Sequence, residues 1–247
     1  MSSPRSESNK EQSAAVAAFY SSIGQALADD ANYPAAIRQH LDEEKAILSR
    51  HLAAGKYSVV VEVGCMDGRL HMAQVLRFPL RYVGIDLVAE SVRKLNLCLS
   101  ERRVPASRAV GLAMDACQLA KLDCLRDESS ALVIFPFNSF GNMAEPSKVI
   151  AAAARLTVEL LIFTYRTDEA SNELRASYYR DSGMTNLECI TNRSEVRFSS
   201  SNGLVSHAYT PRWFETEFAR FGYRCAMDEF GRLGLVVHAV LARKIDD

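Results

Sequence analysis

Residues 59–69, Val-Val-Val-Glu-Val-Gly-Cys-Met-Asp-Gly-Arg, constrain this chain more than any other stretch. A β-branched run carries a carboxylate near its end and then turns through Gly64 and Gly68. The pattern predicts a buried parallel strand that feeds a loop and an amphipathic helix. Glycine has no Cβ, so such a loop lets a nucleotide-like ligand approach the backbone closely.

The pattern around it alternates. Helical spacing begins near Ser13 and runs through Leu27, and a second helix is expected from Pro34 to Ala53, with Pro34 in its first turn and Gly55 ending it. Strands are expected at Tyr57–Val63, Tyr82–Asp86, Ala109–Met114, Ala131–Pro136 and Glu159–Tyr165. The helices between them are expected at Gly68–Leu76, Ala89–Ser100 and Glu145–Leu156. This order indicates a mostly parallel sheet with right-handed crossovers. After Tyr165 the character changes. A helix over 167–182 precedes short strands at Leu187–Thr191, Glu195–Ser199 and Leu204–Tyr209, with Asn202-Gly203 as a turn signal. Helix Pro211–Phe221 and a hairpin of Arg224–Phe230 and Gly234–Ala242 around Gly231 complete the chain.

The bulk properties narrow the function. The chain has 247 residues, 48% of them hydrophobic, enough for one α/β domain with a full core. A net charge of −1 gives no electrostatic footprint for nucleic acid. No apolar run approaches the roughly 20 residues of a membrane helix, and the polar start lacks the apolar core of a signal peptide. Residues 1–12 read as a disordered polar tail. The six cysteines are scattered without a Cys-x-x-Cys pair, which fits free thiols in a reducing cytoplasm, and the five histidines form no metal-ligand cluster.

The loop at 59–69 resembles the first motif of class I S-adenosylmethionine-dependent methyltransferases, roughly acidic-x-Gly-x-Gly-x-Gly, with Met66 standing where the family has its middle glycine. The strand order resembles the same fold over residues 14–243: a Rossmann-like α/β sheet of seven strands, the last antiparallel. An N-terminal helical lid (13–55) precedes the methyltransferase domain (56–247), which carries a small α+β insertion at 167–210 after the fifth strand. The resemblance implies S-adenosyl-L-methionine as cofactor. It implies that Glu62 organises the loop and receives the methionine amino group, and that Gly64, Cys65, Met66 and Gly68 form the loop itself. It implies that Asp86, roughly 20 residues on, accepts the ribose hydroxyls, with Leu87 on the adenine face. Asp115 and Ala116 match the position that meets the adenine amine and ring. Pro136, Phe137 and Asn138 match the fourth motif beside the transferable methyl, where aromatic rings contact a sulfonium by cation–π attraction.

The acceptor side is read from position. Tyr20 and Tyr33 lie on the lid and are expected to close over the cofactor. Arg166 follows the fifth strand and is a candidate to pair an acceptor carboxylate, and Tyr165, Tyr178, Tyr179 and Arg180 lie nearby in sequence. His207, with Asn138 and Tyr209, forms the candidate catalytic set, His207 as general base for a hydroxyl acceptor. A nicotinamide-binding Rossmann domain is the rival reading. Its second and third glycines would fall on Met66 and Arg69, so the pyrophosphate approach is spoiled. A methyltransferase-like partner protein without catalysis is the other alternative, with Met66 intruding on the cofactor. The expectation is methyl transfer to N or O of a small molecule or a peptide end, with no metal, no nucleic acid and no membrane.

Overall fold

The computed structural model describes residues 4–125 and 130–242. Helix α1 (Pro4–Tyr20) opens the chain and α2 (Ala35–Ala53) follows, joined by 3-10 turns at Ile23–Ala28 and Asp30–Asn32. The helix expected from Ser13 to Leu27 therefore breaks after Tyr20. There the Ser21 and Ser22 hydroxyls donate to the Ala17 and Ala18 carbonyls and compete with the helical ladder. Residues 4–12, read from composition as tail, lie inside α1, and residues 1–3 lie outside the described residues.

The alternating core is β1 (Val59–Val63), α3 (Met72–Val75), β2 (Arg81–Asp86), α4 (Ala89–Glu101), β3 (Ala109–Ala113), β4 (Ala131–Phe135), α5 (Pro146–Arg155) and β5 (Glu159–Tyr165). The insertion is α6 (Glu169–Asp181) with β6 (Glu188–Thr191), β7 (Glu195–Ser199) and β8 (Val205–Tyr209). Helix α7 (Pro211–Ala219), β9 (Tyr223–Phe230) and β10 (Gly234–Leu241) end the fold. Helix α3 is the main departure from expectation. Met66 (φ 51°) and Gly68 (φ +82°) both hold left-handed backbone, so residues 66–71 turn before a helix can start.

The large sheet has the order β3-β2-β1-β4-β5-β10-β9. β1 lies parallel between β2 and β4, with Val61 opposite Val83 on one side and Val133 on the other. β10 runs antiparallel to both β5 and β9. Every residue of β1 and β4 is buried, as a central parallel strand covered on both faces demands. Each such aliphatic side chain contributes about 1.5–3 kcal/mol of burial. The strand order reverses between β1 and β4, and a crevice opens at the carboxyl ends of the strands there.

Three apolar clusters hold the molecule. One packs α5 and α7 on one sheet face, and a second packs the C-terminal half of α2 with α3 and α4 on the other. The third joins the lid to the insertion: Phe19, Tyr33, Ile37 and Leu41 meet Tyr178, Phe198 and Ala208. The Tyr178 hydroxyl donates to the Leu27 carbonyl across this contact. Lid and insertion thus share one core and together roof the crevice.

Candidate functional site

The crevice is a cleft between the ends of β1–β5, the lid and the insertion. At one end Gly64 takes φ +78°, and its N–H donates to the Ile85 carbonyl at 2.8 Å. A Cβ there would sit 2.8 Å from the Ser139 Cβ, so only glycine fits unstrained. The Ser139 hydroxyl is buried with no protein partner among the described residues and faces the same cleft. Met66 lines the cleft, and its N–H donates to Asp86 Oδ2 at 2.9 Å. The Met66 backbone does what the absent glycine would do, at a left-handed cost of about 1–2 kcal/mol. The Val88 N–H holds the other Asp86 oxygen at 2.8 Å. Burial pushes the Asp86 carboxyl up, against the pull of these backbone N–H groups. Asp115 accepts from the Cys117 N–H at 2.8 Å and from the Ser13 hydroxyl of α1 at 2.9 Å. Ser13, Val16, Ala17 and Tyr20 present one face of α1 to the cleft.

At the other end the chain passes β4 into Pro136–Asn142. Phe137 (φ 45°) and Asn138 (φ 61°) are consecutive left-handed residues, a strained turn held by its partners. The Phe137 N–H donates to Glu44 Oε2 at 3.1 Å and the Asn138 N–H to the Phe163 carbonyl at 2.9 Å. The Asn138 amide is fully used. Its oxygen accepts from the Thr164 hydroxyl at 2.6 Å, and its nitrogen donates to Ser206 Oγ at 3.0 Å and to the His207 carbonyl at 3.1 Å. Phe137, Tyr165, Tyr178 and Tyr179 form aromatic walls. Burial pushes the Tyr20, Tyr165 and Tyr178 phenols up, so none of them serves as a base near neutral pH.

Behind the loop at 64–68 lies a buried ionisable layer. Glu62, Glu44 and His40 are fully buried and His71 is 1% exposed. The Tyr82 hydroxyl donates to Glu62 Oε2 at 2.7 Å, while Glu62 Oε1 has no partner among the described residues. His71 Nε2 lies 2.6 Å from Glu44 Oε1. Burial pushes Glu62 up to about 7, against the His71 charge and the Tyr82 hydrogen bond. Burial pulls His71 down, but the Glu44 hydrogen bond and charge outweigh it and the net shift is upward.

Of the residues singled out in the sequence, Tyr20, Gly64, Met66, Asp86, Leu87, Asp115, Ala116, Pro136, Phe137 and Asn138 line the cleft. Six others do not. Glu62 sits beneath the loop, with its carboxylate turned to Tyr82. Cys65 is wholly buried, with Sγ where a Cβ on Gly84 would touch it; burial holds its thiol well above the usual range, so it is no nucleophile. Gly68 packs under Leu95 and Met72. Tyr33 is buried in the roof against Phe137 and Tyr178, with ring centroids at 5.6 and 6.3 Å. His207 points away from the cleft, pairs with Glu195 at 2.8 Å and stacks on Tyr209 at 5.7 Å. Tyr209 itself stacks on Trp213 at 3.9 Å. Successive strand residues face opposite sides, so β8 gives Ser206 to the cleft and turns His207 outward. Arg166 is already engaged by Asp168 and Glu229 at 3.0 and 2.5 Å.

Sequence reading missed Ser13, Ser139, Ser206 and above all Arg175, which is 0% exposed. The α6 residues Ser171, Arg175, Tyr178 and Tyr179 are all buried, an i, i+4, i+7, i+8 stripe visible in the sequence once a charged residue is allowed on a core face. Burying an ion without a counter-charge costs several kcal/mol. The guanidinium lies 4.9, 5.9 and 4.7 Å from the Tyr165, Tyr179 and Phe198 ring centroids, contacts that return roughly 0.5–2 kcal/mol each.

The cleft's charge is one-sided. Asp86, Asp115 and Glu145 line it, Glu145 paired with Lys148 at 2.6 Å, and among the described residues no Lys, Arg or His does. No protein-family model and no curated protein sequence matches the chain. Solved structures do. Magnesium protoporphyrin IX methyltransferase (ChlM) from Synechocystis PCC 6803, with bound SAH, aligns over 94% of this chain and 100% of its own at 13% identity and a TM-score of 0.62. The fold is the class I methyltransferase fold. The Burkholderia thailandensis 1,6-didemethyltoxoflavin-N1-methyltransferase aligns over 98% and 92% at 17% identity and 0.60. The glycopeptide N-methyltransferase MtfA aligns over 78% and 94% at 16% identity and 0.51. Structures of ChlM with SAM and of MtfA with SAM or sinefungin are among the matches.

Proposed function

We propose that the chain is an S-adenosylmethionine-dependent methyltransferase that modifies N or O of a small molecule or a peptide end. The observation that carries the reading is the charge of the cleft: carboxylates at the ends of β2 and β3, an orphaned hydroxyl beside Gly64, and no basic side chain among the described residues. A dinucleotide's pyrophosphate needs a helix N-terminus directly behind the glycine loop, but here residues 66–71 turn before α3 begins at Met72, whereas a sulfonium nucleoside brings hydroxyls, an amine and positive charge to these carboxylates. The residues present therefore fit S-adenosylmethionine. Asp86 would take the ribose hydroxyls, Asp115 and Ala116 the adenine edge, and Gly64 with Ser139 the amino-acid end.

When bound, that group supplies an electrophilic methyl that an acceptor lone pair takes by in-line displacement. The chain's own work is positioning and exclusion of water. Tyr20 and the α1 face close the roof. Phe137, Tyr165 and Tyr178 give an apolar, electron-rich wall for a sulfonium. Among the described residues no imidazole enters the cleft, and burial holds the Tyr20, Tyr165 and Tyr178 phenols neutral. The site thus suits an acceptor that arrives as a neutral amine or an already ionised oxygen. Six free cysteines, Cys65 among them buried, support a reducing cytoplasmic setting, and the near-neutral net charge supports a small acceptor over nucleic acid. Among the described residues no helix is long and apolar enough to cross a membrane.

The test is calorimetry with S-adenosylhomocysteine and with NAD. Binding of the first and not of the second is expected, followed by transfer from labelled S-adenosylmethionine in an acceptor screen. No binding of S-adenosylhomocysteine at millimolar concentration sinks the reading in favour of a non-catalytic methyltransferase-like protein.

A further inference from the structure

Among the described residues Arg175 heads the largest fully buried side chains, and no carboxylate there forms an ion pair with it. Its hydrogen bonds are two long ones, Nη1 to Asn172 Oδ1 at 3.3 Å and Nη2 to the Ser206 carbonyl at 3.4 Å, and its Nε has none among the described residues. Of the groups it touches, Tyr165 and Ser206 are themselves cleft wall, whereas Phe198 and Asn172 lie away from the cleft. The aromatic rings offset part of the cost of burying this cation, and an anion entering the cleft in front of it offsets more.

The wall in front of Arg175 also carries a spare proton. Thr164 donates to the Asn138 oxygen, and Asn138 spends both amide protons, on Ser206 Oγ and on the His207 carbonyl. The amide cannot be turned over, because its oxygen would then face the His207 carbonyl. Ser206 Oγ and the Tyr179 hydroxyl lie 2.9 Å apart and share one hydrogen bond. Two hydroxyl protons serve one bond, so one is left over, and both residues line the cleft. This end of the cleft therefore offers a donor backed by positive charge between aromatic walls, the reverse of the end that holds Asp86 and Asp115.

We propose that the acceptor is a small aromatic carboxylate, its carboxylate oxygen taking the spare Ser206–Tyr179 proton in front of buried Arg175 and its ring lying against the wall that Phe137, Tyr165 and Tyr178 form. The proposal rests on the methyltransferase reading and names the substrate class of the same site. Arg175 acts as a positioning residue: it selects the anion through the wall without touching the reacting atoms. It also gives a reason for a buried arginine on an insertion helix, where the packing alone is served by an apolar side chain of similar volume.

The experiment uses the full chain saturated with S-adenosylhomocysteine. Matched probes are titrated by calorimetry at pH 7.5: benzoate against benzamide, salicylate against salicylamide, anthranilate against anthranilamide, and 4-aminobenzoate against its amide. At least one carboxylate is expected to bind 10-fold or more tightly than its amide. In Arg175→Met the ratio falls to within twofold, while the affinity for S-adenosylhomocysteine stays within twofold of wild type. Tyr179→Phe, which keeps the ring and removes one hydroxyl proton, lowers the ratio as well and serves if Arg175→Met does not fold. Amides that bind as tightly as their carboxylates in every pair, binding by none of the eight probes, or a ratio unchanged in every folded variant overturns the proposal. Failure of S-adenosylhomocysteine to bind overturns the methyltransferase reading itself and is read separately in the same titration series.

Discussion

The two ends of the cleft are built by opposite means. The end proposed for the cofactor is made of short connections from consecutive strands: Gly64 and Met66 after β1, Asp86 and Leu87 after β2, Asp115 and Ala116 after β3. Its polar groups are held by backbone N–H groups one to a few residues away or on the next strand, as the Val88 and Met66 N–H groups hold Asp86. The end proposed for the acceptor is assembled from distant pieces: Asn138 from the turn after β4, Thr164 from β5, Tyr179 from α6 and Ser206 from β8. One end is a carboxylate site on a rigid sheet, the other a hydroxyl site between aromatic rings with a cation behind it. Local geometry can fix where a ligand's ribose goes. A pocket for a variable acceptor needs an inserted unit whose side chains can change without touching the sheet.

Substitutions can break or sharpen this contrast. The largest effect is expected for Asp86→Ala, which removes two charge-assisted acceptors from the cofactor end and frees the Met66 N–H. S-adenosylhomocysteine should bind about 100-fold more weakly, from two lost bonds of about 1.5 kcal/mol each, with unfolding by denaturant shifted far less. Wild-type affinity in this variant would mean that the cofactor end has been placed wrongly.

Next comes the layer behind it. Glu62 has its folded pKa raised from the ordinary 4.5 to about 7. Between those values the folded state keeps a proton that the unfolded chain releases, so stability falls as pH rises from about 4.5 to about 7 and levels off above. The loss is on the order of 3 kcal/mol. His71, also raised, adds a loss of the same sign as pH climbs through its folded value. Glu62→Gln should flatten the first part of this profile in urea titrations at pH 5 and pH 8; an unchanged slope would place the proton elsewhere.

Met66 gives a smaller and more local test. Met66→Val puts a β-branched residue at φ 51° and should cost about 1–2 kcal/mol in thermal unfolding, whereas Met66→Gly should stay within about 1 kcal/mol of wild type. If valine is tolerated as well as glycine, the loop is not held left-handed. The smallest effect belongs to the acceptor-side histidine. His207→Ala should leave methyl transfer within about twofold, because the ring faces Glu195 and Tyr209 rather than the cleft. A large loss of turnover without a loss of stability would return His207 to the role of base.

These contrasts follow the line between what was legible in the sequence and what was not. The strand run at β1, the glycine turn and the acidic residues after β2 and β3 could be read because each signal spans a few residues of backbone pattern. Glu62 was legible as a carboxylate near a strand end but not as one facing Tyr82 rather than the ligand, since alternation in a strand buried on both faces gives no polar side to count from. The same parity problem hid Ser206 and promoted His207 on β8. Arg175 was invisible for another reason: a charged residue on a helix is read as solvated, and only tertiary contact shows three aromatic rings around it.

By itself, then, the sequence determined the parallel sheet, the order of its elements and the loop at 59–69, because hydrophobic period and glycine conformation act over neighbouring residues. Only the tertiary structure decided which side chains enter the cleft, that Met66 can hold the glycine's backbone while its side chain joins the wall, and that a lone guanidinium stands behind Ser206. Those outcomes depend on contacts between segments far apart in the chain, and residue order alone carries no record of which faces meet.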